Sequence, residues 1–330
     1  MTLGDSRMGV IIFNLGGPET LADVRPFLYN LFSDPDIIRI KNGPTRKLLA
    51  WFIASTRQFK SRGLYRQIGG GSPLSRITGG QGSALQARLS ELGCPARVYV
   101  GMRCWKPTID DALELALRDG VRHLLALPLF PQYSVTTTGS CFNYLRKLVE
   151  RKVPAGSLKI TYVDAWFDEP LYVEAMADKI REALGRFADV DPRQVNLLYS
   201  AHSIPARYVD EGDPYLEQTR KTVELIDARL GKCCPSTLSF QSKVGPVKWL
   251  EPATNSVLAE FGRHGIGRVL VVPISFVSDH IETLQEIDIL YRKVAADSGI
   301  REFRRAASLN LDPKFIDALA QISRRAFAAR

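Results

Sequence analysis

Long apolar runs are missing from this 330-residue chain. No stretch reaches the roughly eighteen consecutive apolar residues of a membrane-spanning helix, so none is expected to cross a bilayer. Histidine is scarce, with four in the whole chain, and the five cysteines (Cys94, Cys104, Cys141, Cys233, Cys234) include no C-x-x-C pair. An odd, irregular set of cysteines with no secretory leader ahead of it predicts free thiols in a reducing cytoplasm. Leu15-Gly16-Gly17-Pro18 and Gly69-Gly70-Gly71-Ser72 look like phosphate cradles, yet neither fits G-x-G-x-x-G and no Walker lysine follows. A nucleotide cofactor is therefore not expected, and the glycines are read as serving φ > 0 or close approach of backbone to a ligand. No helix-turn-helix, zinc-finger or RNA-recognition signature is present, which argues against nucleic acid as a partner.

What the chain does have is 45% hydrophobic residues, enough for a large core in one or two domains, and a net charge of +9. The basic residues are spread out, with local clusters at Arg57-Lys60-Arg62-Arg66 and Arg301-Arg304-Arg305. Anionic small molecules or an anionic membrane surface account for that balance.

Short β-branched runs alternate with amphipathic stretches, the pattern of parallel α/β units. Strands are expected at 10–15, 97–102, 123–130, 158–163, 196–200, 237–241, 269–276 and 303–307, with helices at 21–32, 85–92, 215–230, 281–294 and 313–327. The halves echo each other: 98–103 corresponds to 238–243, and 125–130 to 271–276. The first half holds a surplus from Ser33 to Ser75 that building a sheet does not require. It contains Leu48-Leu49-Ala50-Trp51-Phe52-Ile53 followed by basic residues, and reads either as a helix packed on its own domain or as an apolar lip.

Two of the four histidines fall at strand ends. Asn196–Pro205 is a strand running into a polar loop at His202. The segment Ser278-Asp279-His280-Ile281-Glu282-Thr283-Leu284-Gln285-Glu286 follows another strand and opens a helix. Open α/β sheets place their ligands at such carboxyl ends. Glu282 and Glu286, four apart, share a helix face. An imidazole near neutrality can take a proton, and imidazole with carboxylate suits a divalent metal such as Fe²⁺.

Six segments, in order from about residue 9 to about residue 325, resemble the signatures of ferrochelatases. They are Asn14–Glu19, Tyr65–Pro73, Pro131–Ser134, Tyr199–Pro205, Phe240–Pro246 and Ser278–Leu284. The resemblance implies two similar doubly wound α/β domains with four-stranded parallel sheets and a cleft between them. Residues 1–165 would form the first domain, with the lip at about 33–75, and 166–330 the second, with the C-terminal helix packing back. It implies His202 and Glu282 as the catalytic pair, positioned by Asp279 and His280, with His202, Glu282 and Glu286 meeting the iron. Arg57, Lys60, Tyr65 and Ser72 would hold the porphyrin propionates. Leu15, Arg103 and Cys104 would lie opposite the catalytic pair, and Phe130, Trp166, Trp249 and Phe276 would form aromatic walls. Many relatives have tyrosine where this chain has Cys104, which puts an iron-docking role there in doubt.

The implied substrates are Fe²⁺ and protoporphyrin IX, the Gly69–Ser72 loop being of the protoporphyrin-type bacterial form. Coproporphyrin III, a cobalt or nickel tetrapyrrole chelatase, and a non-catalytic porphyrin or haem carrier are the alternatives. A 2Fe–2S cluster is not expected, since no cysteine follows Cys234 and Val135 stands where cluster-bearing relatives have one. The expected location is cytoplasmic, with peripheral contact to the inner face of an anionic membrane.

Overall fold

The computed structural model describes residues 7–329 except 188, 244 and 246, so two positions of the Phe240–Pro246 segment, Val244 and Pro246, lie outside the described residues. The chain divides into two compact units, one running to Trp166 and including Ile316–Arg330, the other Phe167–Phe315.

The first unit holds β1 (Arg7–Asn14), α1 (Val24–Ser33), α2 (Gly43–Arg66), α3 (Leu74–Glu91) and β2 (Arg97–Met102). It continues with α4 (Ile109–Arg118), β3 (Val121–Pro128), α5 (Ser140–Lys152) and β4 (Lys159–Tyr162). Its sheet is parallel throughout, in the order β2-β1-β3-β4. Alternation along β1 divides the core between two faces. Ile11 and Phe13 pack with Ile109, Leu113, Phe142 and Leu145 of α4 and α5. On the opposite face Ile12 meets α3, where a Cβ on Gly82 would lie 3.3 Å from Ile12 Cδ1.

The second unit repeats the plan with α6 (Pro170–Leu184), β5 (Asn196–His202), α7 (Ala206–Asp210), α8 (Tyr215–Arg229) and β6 (Ser236–Gln241). Then come α9 (Thr254–Arg263), β7 (Arg268–Pro273), a π-helix (Glu282–Tyr291), α10 (Arg292–Asp297) and β8 (Glu302–Arg305), and the chain closes with α11 (Pro313–Ala328), which from Ile316 onward belongs to the first unit. The order β6-β5-β7-β8 is again parallel. The two four-stranded parallel sheets flanked by helices are thus present as expected, and so is the C-terminal helix, whose Asp317 accepts from Arg88 and whose Phe327 meets His123 edge-on at 5.1 Å.

Three expectations need correction. The helix expected across 281–294 is π-helical over Glu282–Tyr291, a wider turn often found at functional sites. α3 begins at Leu74, eleven residues ahead of its expected start at Leu85. The internal echo is also re-registered. Leu129 N–H donates to Phe13 O as Ile274 N–H does to Ser200 O, and Val163 to Ala126 as Ala306 to Val271. Pro128 therefore matches Pro273, and Phe130 matches Ser275 rather than Phe276. A one-residue slip matters because it exchanges the faces of a strand.

The two glycine loops of the first unit are pinned to each other. Ser72 N–H donates to Pro18 O at 2.7 Å, and a Cβ on Gly71 would fall 2.0 Å from Glu19 O. Gly17 is equally confined, by Ser72. Close approach is real here, but the neighbour is the partner loop.

Candidate active site

β5 delivers His202 as its last residue. Ser275 Oγ accepts from the His202 amide at 2.8 Å, and the Tyr215 hydroxyl donates to its carbonyl at 2.8 Å, so the backbone is fixed from both sides. The imidazole Nδ1 lies 2.8 Å from Glu282 Oε2. With Nδ1–H given to a carboxylate, Nε2 keeps the lone pair and is the nitrogen left for a substrate proton. The side chain retains 39% of its exposure.

Burial opposes charge on His202, but the charge and hydrogen bond of Glu282, assisted by Glu286, outweigh it and raise its pKa above the ordinary value. Burial pushes the Glu282 carboxyl up, and His202, His280 and Ser242 more than reverse this, leaving it well below the usual range. Glu286 goes the other way. Burial and the neighbouring Glu282 charge raise its pKa against the bonds it accepts from Ser242 and Tyr291. Two carboxylates four residues apart thus hold protons with different strength, the pattern that separates acid and base roles.

Ser242 joins them. Its hydroxyl is 2.9 Å from Glu282 Oε2 and 2.5 Å from Glu286 Oε2, and its amide donates to Glu286 Oε1 at 3.0 Å. Tyr291 OH donates to Glu286 Oε1 at 2.8 Å, and Gln241 Nε2 reaches Glu286 Oε2 at 3.3 Å.

Asp279 and His280 stand in different surroundings. Asp279 accepts from Arg305, Ser308, Asn310 and Thr283. These four donors hold its carboxylate just ahead of the π-helix. Arg305 also holds Asp288 through two nitrogens, tying β8 to the π-helix. The His280 ring packs against Phe276 in a tilted contact at 4.4 Å, and Phe276 in turn meets the His202 ring edge-on at 6.2 Å. Burial lowers the His280 pKa, and its buried Nδ1 has no hydrogen-bond partner among the described residues. Trp249 pairs with Pro205, three residues beyond His202, so Phe276 and Trp249 both flank the histidine loop.

The other expected contacts belong to the first unit. Arg57 and Lys60 lie on α2, with the Arg57 guanidinium 5.6 Å over the Phe32 ring. Ser72 Oγ accepts from Leu74 N–H at the start of α3, and Leu15 and Phe130 are partly exposed beyond β1 and β3. Four residues are more enclosed than the sequence suggested. Tyr65 is buried. Arg103 is committed to Asp34 at 3.0 Å, to Ser140 at 2.8 Å and to the face of Tyr144 at 4.5 Å. Trp166, 3% exposed and donating to Pro128 O, is core rather than wall. Cys104 is 2% exposed, and burial pushes its thiol up to about 12, so it is a protonated core residue rather than an iron or ring contact.

Among the described residues no three His, Cys, Asp or Glu side chains are grouped to hold a resident metal ion. Sequence reasoning missed Ser242, Gln241, Tyr215, Ser275, Tyr291 and Arg305. Gln241 and Ser242 lay in a signature segment and Arg305 in a basic cluster already singled out, but nothing in the spacing marks the positive φ that brings Ser242 onto both glutamates.

Comparison with known proteins agrees with this architecture. The ferrochelatase family profile matches residues 7–327. A ferrochelatase of Synechococcus sp. (strain JA-3-3Ab) is 50% identical over 97% of this chain and 93% of its own length. That of Gloeobacter violaceus is 47% identical over 96% and 97%, and that of Trichormus variabilis 49% over 96% and 81%. Among solved structures, SirB from Bacillus subtilis with Fe³⁺ shares the fold at a TM-score of 0.54 and 13% identity, covering 97% of this chain and 95% of its own. On the match across residues 7–327 and near-half identity over nearly its whole length, the chain belongs to the ferrochelatase family.

Proposed function

We propose that this chain inserts Fe²⁺ into protoporphyrin IX, giving protohaem and two protons, as the terminal step of haem biosynthesis. The single observation that carries the reading is the 2.8 Å pairing of His202, the last residue of β5, with Glu282, the first residue of the π-helix that follows β7, in a chain of this family. Metal insertion requires a bent ring with exposed pyrrole lone pairs, loss of two N–H protons, and a largely dehydrated Fe²⁺ as the second substrate. His202 Nε2 accepts a pyrrole proton, and Glu282 stabilises the imidazolium that results. Glu286 is the group on which the proton next rests. Arg57 and Lys60 would pair with propionates, where a guanidinium can make two parallel bonds to a carboxylate.

The test is anaerobic Fe²⁺ insertion into protoporphyrin IX, coproporphyrin III and sirohydrochlorin. Protoporphyrin IX is expected to have the highest kcat/KM, and a preference for either of the others would move the chain to another chelatase branch. Coproporphyrin III is the nearer alternative, and the Gly69-Gly70-Gly71-Ser72 loop is the feature that disfavours it.

The reading extends to a peripheral membrane location on the inner face of the cytoplasmic membrane. No helix among the described residues is long and apolar enough to cross a bilayer. α2, however, exposes Leu48, Trp51 at 51%, Phe52 at 60% and Phe59 at 70%. Residues 37–90 contain no Asp or Glu and ten Lys or Arg. Exposed aromatic residues within an acid-free segment suit an anionic interface. Replacing Trp51 and Phe52 together by serine is expected to weaken binding to vesicles containing anionic lipid about tenfold or more, from the apolar area lost. Unchanged partitioning in a vesicle sedimentation assay would remove α2 as the membrane contact.

A further inference from the structure

Ser242 occupies an unfavourable backbone state at the point where the two glutamates meet. It follows directly on β6, and its φ of +66° lies in the left-handed region that side chains other than asparagine, aspartate and glycine seldom enter. Strain of this kind persists where the surroundings over-determine it, and it gathers at functional sites. Here the surroundings are carboxylates: Glu286 takes both the amide and the hydroxyl, and Glu282 lies within reach of the same hydroxyl.

A hydroxyl has one hydrogen and two lone pairs. Set between two carboxylate oxygens at 2.9 Å and 2.5 Å, it can donate fully to only one of them. Both contacts are full hydrogen bonds when the other glutamate carries a proton and donates to Oγ. The arrangement therefore suits a pair that shares one proton, with the hydroxyl free to reverse its direction.

The geometry points to Ser242 as a positioning residue of the proton path: its hydroxyl links Glu282 to Glu286, so that a proton collected at His202 can leave the histidine–glutamate pair. This rests on the iron-insertion reading above. In one passage the proton on His202 Nδ1 moves to Glu282 Oε2. A proton then passes from Glu282 to Ser242 Oγ as Ser242 gives its own to Glu286 Oε2. One N–H bond breaks and one O–H bond forms on Glu286. The imidazole returns to neutral, Glu282 to carboxylate and Ser242 to an alcohol, so atoms and charge balance. Tyr291, donating to the other oxygen of Glu286, keeps that acceptor in place.

Two substitutions separate chemistry from folding. Ser242→Gly keeps the amide donor and suits the positive φ, while Ser242→Ala keeps the strain; both remove the hydroxyl. In anaerobic Fe²⁺ insertion into protoporphyrin IX, both are expected to lower kcat by about 10- to 100-fold, the worth of a hydrogen bond to a charged group. Protoporphyrin affinity, read by fluorescence titration, stays within about twofold of wild type, a margin far below that loss. Ser242→Gly melts above Ser242→Ala by about 2–4 °C, as relief of such strain implies. Wild-type kcat in Ser242→Gly would overturn the proposal, whatever Ser242→Ala does, because the residue would then be backbone support. A parallel fall in porphyrin affinity would overturn it as well. Should wild type insert no iron at all, the underlying reading fails first, and that result is distinct from an active wild type with an active Ser242→Gly.

Discussion

His202→Ala is expected to abolish iron insertion, lowering kcat by about 10³-fold or more, while protoporphyrin affinity changes little. General-base contributions fall in the range of about 10²–10⁴, and here the base also carries the hydrogen bond that orders Glu282. The companion test is pH. His202 must be neutral to accept a proton, and its pKa lies above the ordinary imidazole value. Activity should therefore rise with pH along an acid limb whose midpoint is above the unperturbed value of about 6.5. Glu282→Gln removes the largest influence holding that pKa up, so whatever turnover remains should show its limb displaced to lower pH. Full activity in His202→Ala would remove the proposed base, and an unmoved limb in Glu282→Gln would uncouple the pair.

The second large effect is on stability. Arg305 is 11% exposed at its side chain and is the cation shared by Asp279 and Asp288. Burial works against the Asp279 charge, but Arg305, with Asn310, Ser308 and Thr283, prevails and holds its pKa below the ordinary value. Removing one partner of an enclosed pair typically costs about 3–5 kcal/mol, because the other charge is left uncompensated. Since Asp288 keeps some contact with solvent, we expect about 3 kcal/mol for Arg305→Met, at the low end of that range. The sign of the pH dependence follows from Asp279. A depressed carboxyl pKa contributes stability above the unfolded value of about 3.9 and loses it as pH falls toward the folded value. The gap between wild type and Arg305→Met in urea unfolding should thus be full at pH values above about 4 and narrow as pH falls below that value. A gap that stayed constant would mean that lost packing of the long side chain, rather than charge, sets the effect.

The strands were legible because buried parallel strands are written as continuous apolar runs, and each of the eight was found within a few residues. Both strand-end segments could be read for the same reason, since polar residues that follow an apolar run mark its carboxyl end. Several linking helices were harder to see. α4 opens with a capping box, Thr108 with Asp111, which spacing could have revealed, but α6 and α9 have no side-chain cap. Trp166 and Cys104 are residue types that occur in cores as readily as in clefts, and sequence does not separate the two. Ser242 was invisible for another reason: its role depends on a backbone dihedral that no side-chain pattern encodes.

The matched backbone bonds of the two sheets place Leu15 at the position in the first unit that His202 holds in the second. A scaffold built twice within one chain can alter a loop in one copy while the other continues as before. A histidine at both positions would place a proton acceptor at the end of the corresponding strand in each unit, whereas only the second has one. At this pair of corresponding positions the two units part, with an apolar side chain in the first and an imidazole in the second.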